Sequence, residues 1–567
     1  MNSLSARARE TTRGQEPATG LRDGSRATGN SGRRLWPALL LLVLLLGLGL
    51  RLYLLVPTDR GLLYAQDADE GVHATVAQLT LQGYLPYRDF FTVIPPVSIY
   101  LFMLVLRVFY HPWGSALGLM ALRYASVAYG MVTILLVFKA ASGIGGRRSG
   151  LLAAAMLAVD GVVVAQDRRA MLESPSNMFS ILAVLCCIYA LRPDTLRPAG
   201  SRTAHWWTMG AGICCSLALL TKGTAVVLPL VILPALVLCR RWRAAGLFLG
   251  ALLGSYVLLA LPFLIACPSD FLKTNYVFHM LRPWDGTANP MLRLMETWSY
   301  PWSWTTTRLA LAGVAWTALL GRQARHRGLC LLILGWSGTA ALLMLTSRTY
   351  WATYFSQLAV PLAILGGLLL NQKLDLRSGS ILGRGFGALG RYRAALPATV
   401  LIAILLAGRG RLRLQWDATR EALEQIKPTY VTMAEYIKRR VPSDAAVLVF
   451  EPNFTFLTSH PPAGARDGSF FVDSYGEMLY RALGISDKSV SELVTMWQSQ
   501  ERLGAREVFH RAQAQVEVLT AFAGAPYVVL DGRALKQLAP ESSAYVRSHS
   551  TILESAYGAE LRQRIPE

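Results

Sequence analysis

A dense group of ionisable residues lies in the stretch Asp67–Pro96, directly after the first long apolar run. Asp67, Asp69 and Glu70 fall within four positions, and His73 follows three residues later. On a helix, Asp69 and His73 are i and i+4, and Glu70 and His73 are i and i+3, so the three share one face. A carboxylate there could take a proton from a hydroxyl group or bind a cation. One acid would suffice as a helix cap, so three acids at a membrane boundary favour a functional role, and Asp69 and Glu70 are the candidate catalytic acids.

Cationic residues that could bind a phosphate group follow in later loops. Arg88 could hold a phosphate through two hydrogen bonds, but a local ion pair with the next aspartate explains it equally well. Arg169 lies in a short loop, and Lys222 lies in a tight turn between two apolar runs, where snorkelling is the alternative. Arg348 and Tyr354 lie in an aromatic-rich segment that could meet a lipid phosphate or anchor at the membrane interface.

Glu173 is a second candidate acid, in the loop that also carries two arginines. Its alternative role is a favourable negative charge in the first turn of the following helix. A divalent metal cation is a possible cofactor, with Asp69, His73 and His279 as the candidate ligands, but the histidines lack the spacing of a metal motif. All seven cysteines lie in or beside apolar runs without CxxC spacing, which excludes a zinc site or disulfide framework.

The composition is that of a polytopic helical membrane protein. The chain has 567 residues, of which 53% are hydrophobic, and its mean hydropathy is +0.36. Since unpaired backbone groups cannot face lipid, long apolar runs of this kind form membrane-spanning helices. The net charge of +21 comes from arginines in short loops between the runs, which is the positive-inside pattern and argues against nucleic acid as a partner.

The charge pattern predicts eleven spans, with every basic loop on one side of the lipid bilayer. Residues 1–34 are expected to form a disordered basic cytoplasmic tail, and residues 35–408 the membrane domain. The segment 95–110 is apolar but short, and it is expected to lie at the interface or to re-enter, because a span there would reverse every later loop. The predicted spans are at about 35–56, 119–140, 150–165, 175–191, 207–220, 224–239, 244–264, 309–320, 328–346, 356–370 and 395–408.

The composition changes at about residue 409, where charged residues become frequent. Residues 417–440 have helical periodicity, and the runs Ala445–Phe450 and Tyr527–Leu530 have the pattern of buried strands. We therefore expect residues 409–567 to form a soluble extracytoplasmic α/β domain. The fold class is an all-α polytopic membrane protein with this C-terminal α/β domain. Asn453-Phe454-Thr455 is a glycosylation sequon, for which chance occurrence is the better explanation.

The order of the motifs resembles a known family. An Asp-Glu pair after the first span, then Tyr-Arg-Asp, Pro-Pro-x-x-x-Tyr-Leu, R-x-M-L-E-S-P, T-K-G-T-A and R-x-Y-x-x-Y-F-x-Q-L, resembles the integral-membrane GT-C glycosyltransferases. The most similar groups are the bacterial relatives of protein O-mannosyltransferases and the aminoarabinose transferase (family 39/83-like), and the resemblance covers residues 35–408. The aminoarabinose group has Glu-Lys before the proline of its juxtamembrane helix, where this chain has Val93 and Ile94.

The resemblance implies a GT-C-like bundle with juxtamembrane helices in the inner (plasma) membrane and a polyprenyl-phosphate sugar as donor. It matches Asp69 to the essential first-loop acid and Glu173 to the second-loop acid. The expected function is inverting transfer of a monosaccharide to an extracytoplasmic glycan, lipid or protein hydroxyl. The alternative is a transporter or flippase of lipid-linked sugars. It is less favoured because the charges gather at one face and no internal repeat is visible.

Overall fold

The computed structural model describes residues 31–53, 55–56, 67–109, 114–191, 202–299, 304–321, 327–370, 428–464, 470–485, 487–499 and 505–566. Helices dominate, as apolar runs without strand-type alternation predict. In the first two thirds of the chain the α-helices are α1 Ser31–Leu52, α2 Ala68–Leu81, α3 Pro96–Leu106, α4 Ala116–Gly145, α5 Arg147–Val159, α6 Gly161–Asp167, α7 Glu173–Leu191, α8 Arg202–Leu219, α9 Val227–Leu238, α10 Trp242–Ala266, α11 Pro268–Leu272, α12 Phe278–Leu281, α13 Pro290–Ser299, α14 Trp304–Gly321, α15 Arg327–Thr346 and α16 Phe355–Gly367. Short 3₁₀ segments occur at Gly223–Val226, Ala352–Tyr354 and Leu368–Leu370, and a π segment at Lys273–Val277.

Five helices of the described residues are long and apolar enough to cross a membrane: α1, α4, α7, α10 and α15. A sixth span results if α5 and α6, which are bent by 65° relative to each other, are counted together. The chain is thus a membrane protein, while the count of eleven spans stays a prediction. The predicted span at 395–408, the boundary at 409 and the tail up to residue 30 lie outside the described residues, and α1 begins at Ser31, four residues before the predicted start of the first span.

The segment at 95–110 forms α3, whose 11 residues extend over about 16 Å. This length is about half of a bilayer core, so α3 is too short to span. A proline at its first position favours helix initiation there. The helix is fixed to the bundle by hydrogen bonds from Ser98 Oγ to the Thr221 carbonyl and from Tyr100 Oη to the Leu259 carbonyl. It places the first loop against the turn that carries Lys222.

The C-terminal residues build a four-stranded sheet with helices packed around it. Its strand order is β3-β4-β6-β5, with β3 and β4 parallel and β4, β6 and β5 antiparallel. The elements are α17 Pro428–Arg440, β3 Val447–Leu448, α18 Phe454–Thr458, α19 Ser474–Ala482, α20 Val490–Ser499, α21 Ala505–Phe509, α22 Ala512–Gly524, β4 Tyr527–Leu530, α23 Ala534–Gln537, α24 Pro540–Ser548, β5 Ser550–Ala556 and β6 Ala559–Arg564. A two-residue parallel pair joins β1 Asp285–Gly286 to β2 Thr349–Tyr350.

One hydrophobic core fills the helical bundle. Another contains residues of both the bundle and the C-terminal segment. Ala74 and Ala77 of α2 and Phe102 of α3 share a cluster with Met433 of α17 and Phe456 of α18. The predicted domain boundary therefore does not separate the apolar cores: the C-terminal segment packs directly on the helices that follow the first span.

Candidate active site

The first turn of α2 holds the three predicted acids in different environments. Asp67 is the N-cap, and its side chain accepts a hydrogen bond from the amide of Asp69, while the Glu70 side chain accepts one from the Asp67 amide. This reciprocal arrangement is a capping box, which explains why the helix begins here. Glu70 is completely buried, whereas Asp69 is exposed.

Glu70 is held by four hydrogen bonds. Arg123 of α4 donates through Nε and Nη2 to its two carboxylate oxygens, both at 2.7 Å, and the Ala170 amide donates to Oε1 at 2.7 Å. The fourth donor is the Asp67 amide. Since Arg123 is also fully buried, this is a bidentate ion pair that joins α2 to α4 and to the loop after α6.

Asp67 faces the same loop. Its Oδ2 lies 3.0 Å from Nη1 of Arg169. Burial, together with the negative charges of Asp69 and Glu70, raises the pKa of Asp67 to about 7, although Arg169 opposes this shift. Part of the Asp67 population is therefore protonated near neutral pH, which lowers the repulsion on Asp69.

Glu173 begins α7 and pairs with Lys222. The distance from Lys222 Nζ to Glu173 Oε1 is 2.6 Å, and Glu173 is buried. The same ammonium group lies 4.7 Å from the ring centre of Tyr354, within cation–π distance. Burial opposes the charged form of Lys222, but Glu173, Tyr354 and Asp69 raise its pKa above the usual value. The other oxygen of Glu173, Oε2, is buried without a hydrogen-bond partner among the described residues.

The β1–β2 pair brings the loop after α12 to the same end of the bundle as Lys222 and Tyr354. Gly286 has φ +73°, and a Cβ there would lie 1.8 Å from the carbonyl oxygen of Tyr350, so only glycine allows this approach. Arg282 pairs with Asp285 at 3.3 Å, and Tyr475 Oη donates to the same carboxylate at 2.6 Å. Burial raises the pKa of Tyr354, and the charges of Lys222 and Arg282 act on it in the opposite direction.

The C-terminal segment contributes four charged residues. Glu451 follows β3, Asp531 and Arg533 follow β4, and Asp473 caps α19. Because β3 and β4 are parallel, their carboxyl ends lie at one edge of the sheet. Arg533 Nη1 lies 3.7 Å from Glu451 Oε2. Burial raises the pKa of Asp473, and the negative charge of Asp69 adds to this, which places Asp69 near this edge.

The structure thus brings Asp69, Asp67, Arg169, Glu173, Lys222 and Tyr354 to one end of the bundle, with Arg282, Asp473 and Arg533 around them. We call these nine residues the loop-side charge cluster.

Four other candidates have different surroundings. Arg88 forms a two-point ion pair with Asp89 and is 56% exposed, in agreement with the local alternative. His73 is buried with Nδ1 2.8 Å from the Ala170 carbonyl. His279 is exposed.

Arg348 is half-buried beside β2, and its carbonyl accepts a hydrogen bond from the Asp285 amide. Among the described residues, no group of three or more His, Cys, Asp or Glu side chains could hold a metal ion. The metal assignment to Asp69, His73 and His279 therefore gains no support, and the catalytic and phosphate-binding roles of the other residues stay predictions.

The sequence interpretation missed Glu451, Asp473 and Arg533. A signal for two of these did exist, since charged residues follow both predicted strands. Parallel pairing of the strands would have placed Glu451 and Arg533 together, but pairing between segments about 80 residues apart is not visible in local sequence.

Part of the chain is similar to a known protein family. The family model described as dolichyl-phosphate-mannose-protein mannosyltransferase matches residues 83–277. No curated protein sequence matches the chain significantly.

Solved structures match over almost the whole chain. ArnT from Cupriavidus metallidurans, in a crystal structure bound to undecaprenyl phosphate, is 16% identical, with a TM-score of 0.55 over 94% of this chain and 98% of that chain. The Archaeoglobus fulgidus oligosaccharyltransferase tethered with an acceptor peptide is 12% identical, with a TM-score of 0.57 over 88% of this chain and 69% of that chain. AglB from Archaeoglobus fulgidus, in complex with an inhibitory peptide and a dolichol-phosphate, is 14% identical, with a TM-score of 0.50 over 88% and 70%.

At these identities the structural matches establish the fold. The predicted resemblance to the GT-C membrane glycosyltransferases is confirmed by the family model and by these structures together.

Proposed function

We propose, from this GT-C fold and the loop-side charge cluster, that the chain is an inverting glycosyltransferase. It would move a monosaccharide from a polyprenyl-phosphate donor to a hydroxyl group of a glycan, lipid or protein on the extracytoplasmic face of the inner membrane. The observation that carries the proposal is the contrast between two adjacent acids. Glu70 is fully used in structural hydrogen bonds, whereas Asp69 is exposed and forms no ion pair among the described residues.

Asp69 has the chemistry of a general base. Its carboxylate would accept the proton of the acceptor hydroxyl as the oxygen attacks the anomeric carbon. The bond between the anomeric carbon and the phosphate oxygen breaks at the same time, and its electron pair leaves with the lipid phosphate. Attack from the face opposite the phosphate inverts the configuration at that carbon.

The departing phosphate needs positive charge. Lys222 is the strongest candidate, because its ammonium group is held in place by Glu173 and by the ring of Tyr354. Arg169 and Arg348 are further candidates, and each cation aimed at developing charge is worth roughly 3 kcal/mol in a dry site. Arg88 is the weakest of the set, since its guanidinium is exposed and already paired.

Glu173 is suited to a supporting role. One of its oxygens holds Lys222 and the other is buried without a partner among the described residues, so it is able to accept a hydrogen bond from a bound substrate. We assign Glu70 the task of positioning α2 through Arg123, in place of the catalytic role that the sequence suggests.

The proposal is tested with purified protein in liposomes that contain radiolabelled polyprenyl-phosphate sugars. Wild type is compared with Asp69→Asn, which keeps the size of the side chain and removes its charge. The matched control is Asp270→Asn, which removes an exposed aspartate from the first turn of α11. We expect wild type and Asp270→Asn to release or transfer sugar and Asp69→Asn to lose at least 100-fold in rate, the size of a missing general base.

Retained turnover in Asp69→Asn would refute the assignment of the base. If no donor is turned over by wild type while labelled lipid moves between leaflets, the chain is a transporter of lipid-linked sugars and not a transferase.

A further inference from the structure

The carboxyl edge of the C-terminal sheet docks on the first turn of α2, the turn that carries Asp69. The turn after β3, residues 451–453, lies against this helix so closely that a Cβ at Gly71 would be 2.5 Å from the Asn453 amide nitrogen. It would also be 2.6 Å from the carbonyl carbon of Pro452. Such distances require a glycine at position 71 and define a backbone-to-backbone contact.

Asn453 connects this turn to the N-cap of α2. Its Nδ2 donates to the carbonyl oxygen of Asp67 at 2.7 Å and to Glu451 Oε1 at 2.8 Å, so both amide protons are used. Asn453 is 1% exposed and Glu451 4%. The amide oxygen of Asn453 has no hydrogen-bond partner among the described residues, so the two bonds donated by Nδ2 are what hold this buried side chain in one arrangement. The backbone two residues before Asp69 is therefore fixed by a side chain from the C-terminal segment.

The apolar contacts reinforce this connection. Val72 and Val76 of α2 pack in one cluster with Phe470 and Val472, while Ala74 and Ala77 pack with Phe454 and Phe456 in another. Two faces of α2 are thus covered by C-terminal residues, so α2 cannot shift independently of the sheet.

Arg533 adds a charge at the same edge. Its Nη1 lies 3.7 Å from Glu451, and its Nε is buried without a hydrogen-bond partner among the described residues. Burial opposes the charge of Arg533, but Glu451, then Asp69 and Asp473, raise its pKa above the usual value.

We propose that Asn453 is a positioning residue for Asp69, because it fixes the backbone that carries Asp69. The C-terminal segment would then be a part of the catalytic centre and not only a cap over it. The inference rests on the proposed function where it concerns rate, but the docking itself is testable without turnover.

The docking is tested by hydrogen exchange of the full-length protein in nanodiscs. Asn453→Ala removes the hydrogen bond to Asp67, and we expect at least tenfold faster exchange of the amides in the first two turns of α2. The matched control is Gln515→Ala. Gln515 is equally buried in the C-terminal segment, but its side-chain hydrogen bonds go to Phe509, Gln537 and Ala539, all within that segment. This control should leave exchange in α2 unchanged.

The effect of Asn453 on catalysis is tested by steady-state kinetics of donor turnover. In Asn453→Ala, kcat should fall roughly 10- to 100-fold with KM for the donor unchanged, because displacement of a catalytic group affects the reacting geometry.

Several results would overturn the inference. Exchange and kcat like wild type in Asn453→Ala would do so, as would equal effects of Gln515→Ala, which would indicate general destabilisation. If wild type turns over no donor, the proposed function fails, while the exchange experiment still decides whether Asn453 holds α2 in place.

Discussion

The two adjacent acids of α2 should respond in opposite ways to the same chemical change. Glu70→Gln replaces a carboxylate that accepts four hydrogen bonds by an amide that can accept at only one atom, and it removes the negative charge that faces the buried Arg123. Asp69→Asn changes an exposed side chain without an ion pair among the described residues. We expect Glu70→Gln to destabilise the fold and Asp69→Asn to abolish turnover without destabilising it.

The magnitude follows from burial. Both partners of the Glu70–Arg123 pair are 0% exposed, and removal of one partner of such a pair costs about 3–5 kcal/mol because a charge stays buried and uncompensated. For a chain of 567 residues, that cost corresponds to a loss of roughly 3–4 °C in apparent melting temperature. Asp69→Asn should stay within about 0.5 kcal/mol of wild type.

The assay is thermal unfolding of detergent-solubilised protein followed by size-exclusion chromatography, in parallel with donor turnover. Replacement of both partners, Glu70→Gln with Arg123→Met, should recover part of the loss, since no charge then remains buried. A Glu70→Gln variant with wild-type melting temperature would show that the buried pair does not hold α2. A Glu70→Gln variant that is stable but inactive would show that Glu70 itself takes part in the reaction.

Three further predictions concern the surrounding cluster. Glu173→Gln and Lys222→Met should each lower the rate. Lys222→Met should lower the apparent melting temperature more, because it leaves the Glu173 carboxylate, which is 1% exposed, as the uncompensated charge, whereas the Lys222 ammonium group is 15% exposed and keeps the ring of Tyr354; the same two assays measure both effects. The folded-state pKa of Asp67 is raised from 3.8 to about 7, so the contribution of Asp67 to stability is largest at low pH and declines as the pH rises from 3.8 to about 7. The difference in melting temperature between wild type and Asp67→Asn should change over the same pH range and be constant above about pH 7. Gly71→Ala should destabilise, although alanine normally stabilises a helix by about 1 kcal/mol, because its Cβ would meet the Asn453 backbone; a stabilised variant would contradict the docking.

Much of the site was predictable from sequence because the membrane sorts the loops. Charged residues that interrupt apolar runs on the side opposite the basic loops are expected to meet at one end of a helical bundle, and Asp69, Glu173 and Lys222 do so. The partner of each residue was not predictable. Nothing local marks Arg123, in the middle of an apolar helix, as the counter-ion of Glu70, since that pairing depends on how α2 packs against α4.

The C-terminal segment was also only partly predictable from the sequence. Strands occur in both predicted places, at β3 and β4, but the hairpin β5–β6 was missed. The two turn residues, Tyr557 and Gly558, both have positive φ, as a two-residue hairpin turn requires. In the sequence, only the glycine indicates this turn. The contact between the turn after β3 and α2 depends on residues nearly 400 positions apart, such as Asn453 and Asp67, and no local pattern encodes it.

The ion pairs at this end of the bundle have a common arrangement that explains why Asp69 is left available. Each joins segments that are distant in the chain, so each pair holds one loop or helix against another. An isolated buried pair adds little stability compared with apolar packing, but it excludes arrangements in which either charge lies unpaired. Once the neighbouring acids are each held by a basic partner, Asp69 is the acid of this turn whose charge is not used to fix the fold. The pairs are Arg51–Asp167, Arg123–Glu70, Arg169–Asp67 and Lys222–Glu173.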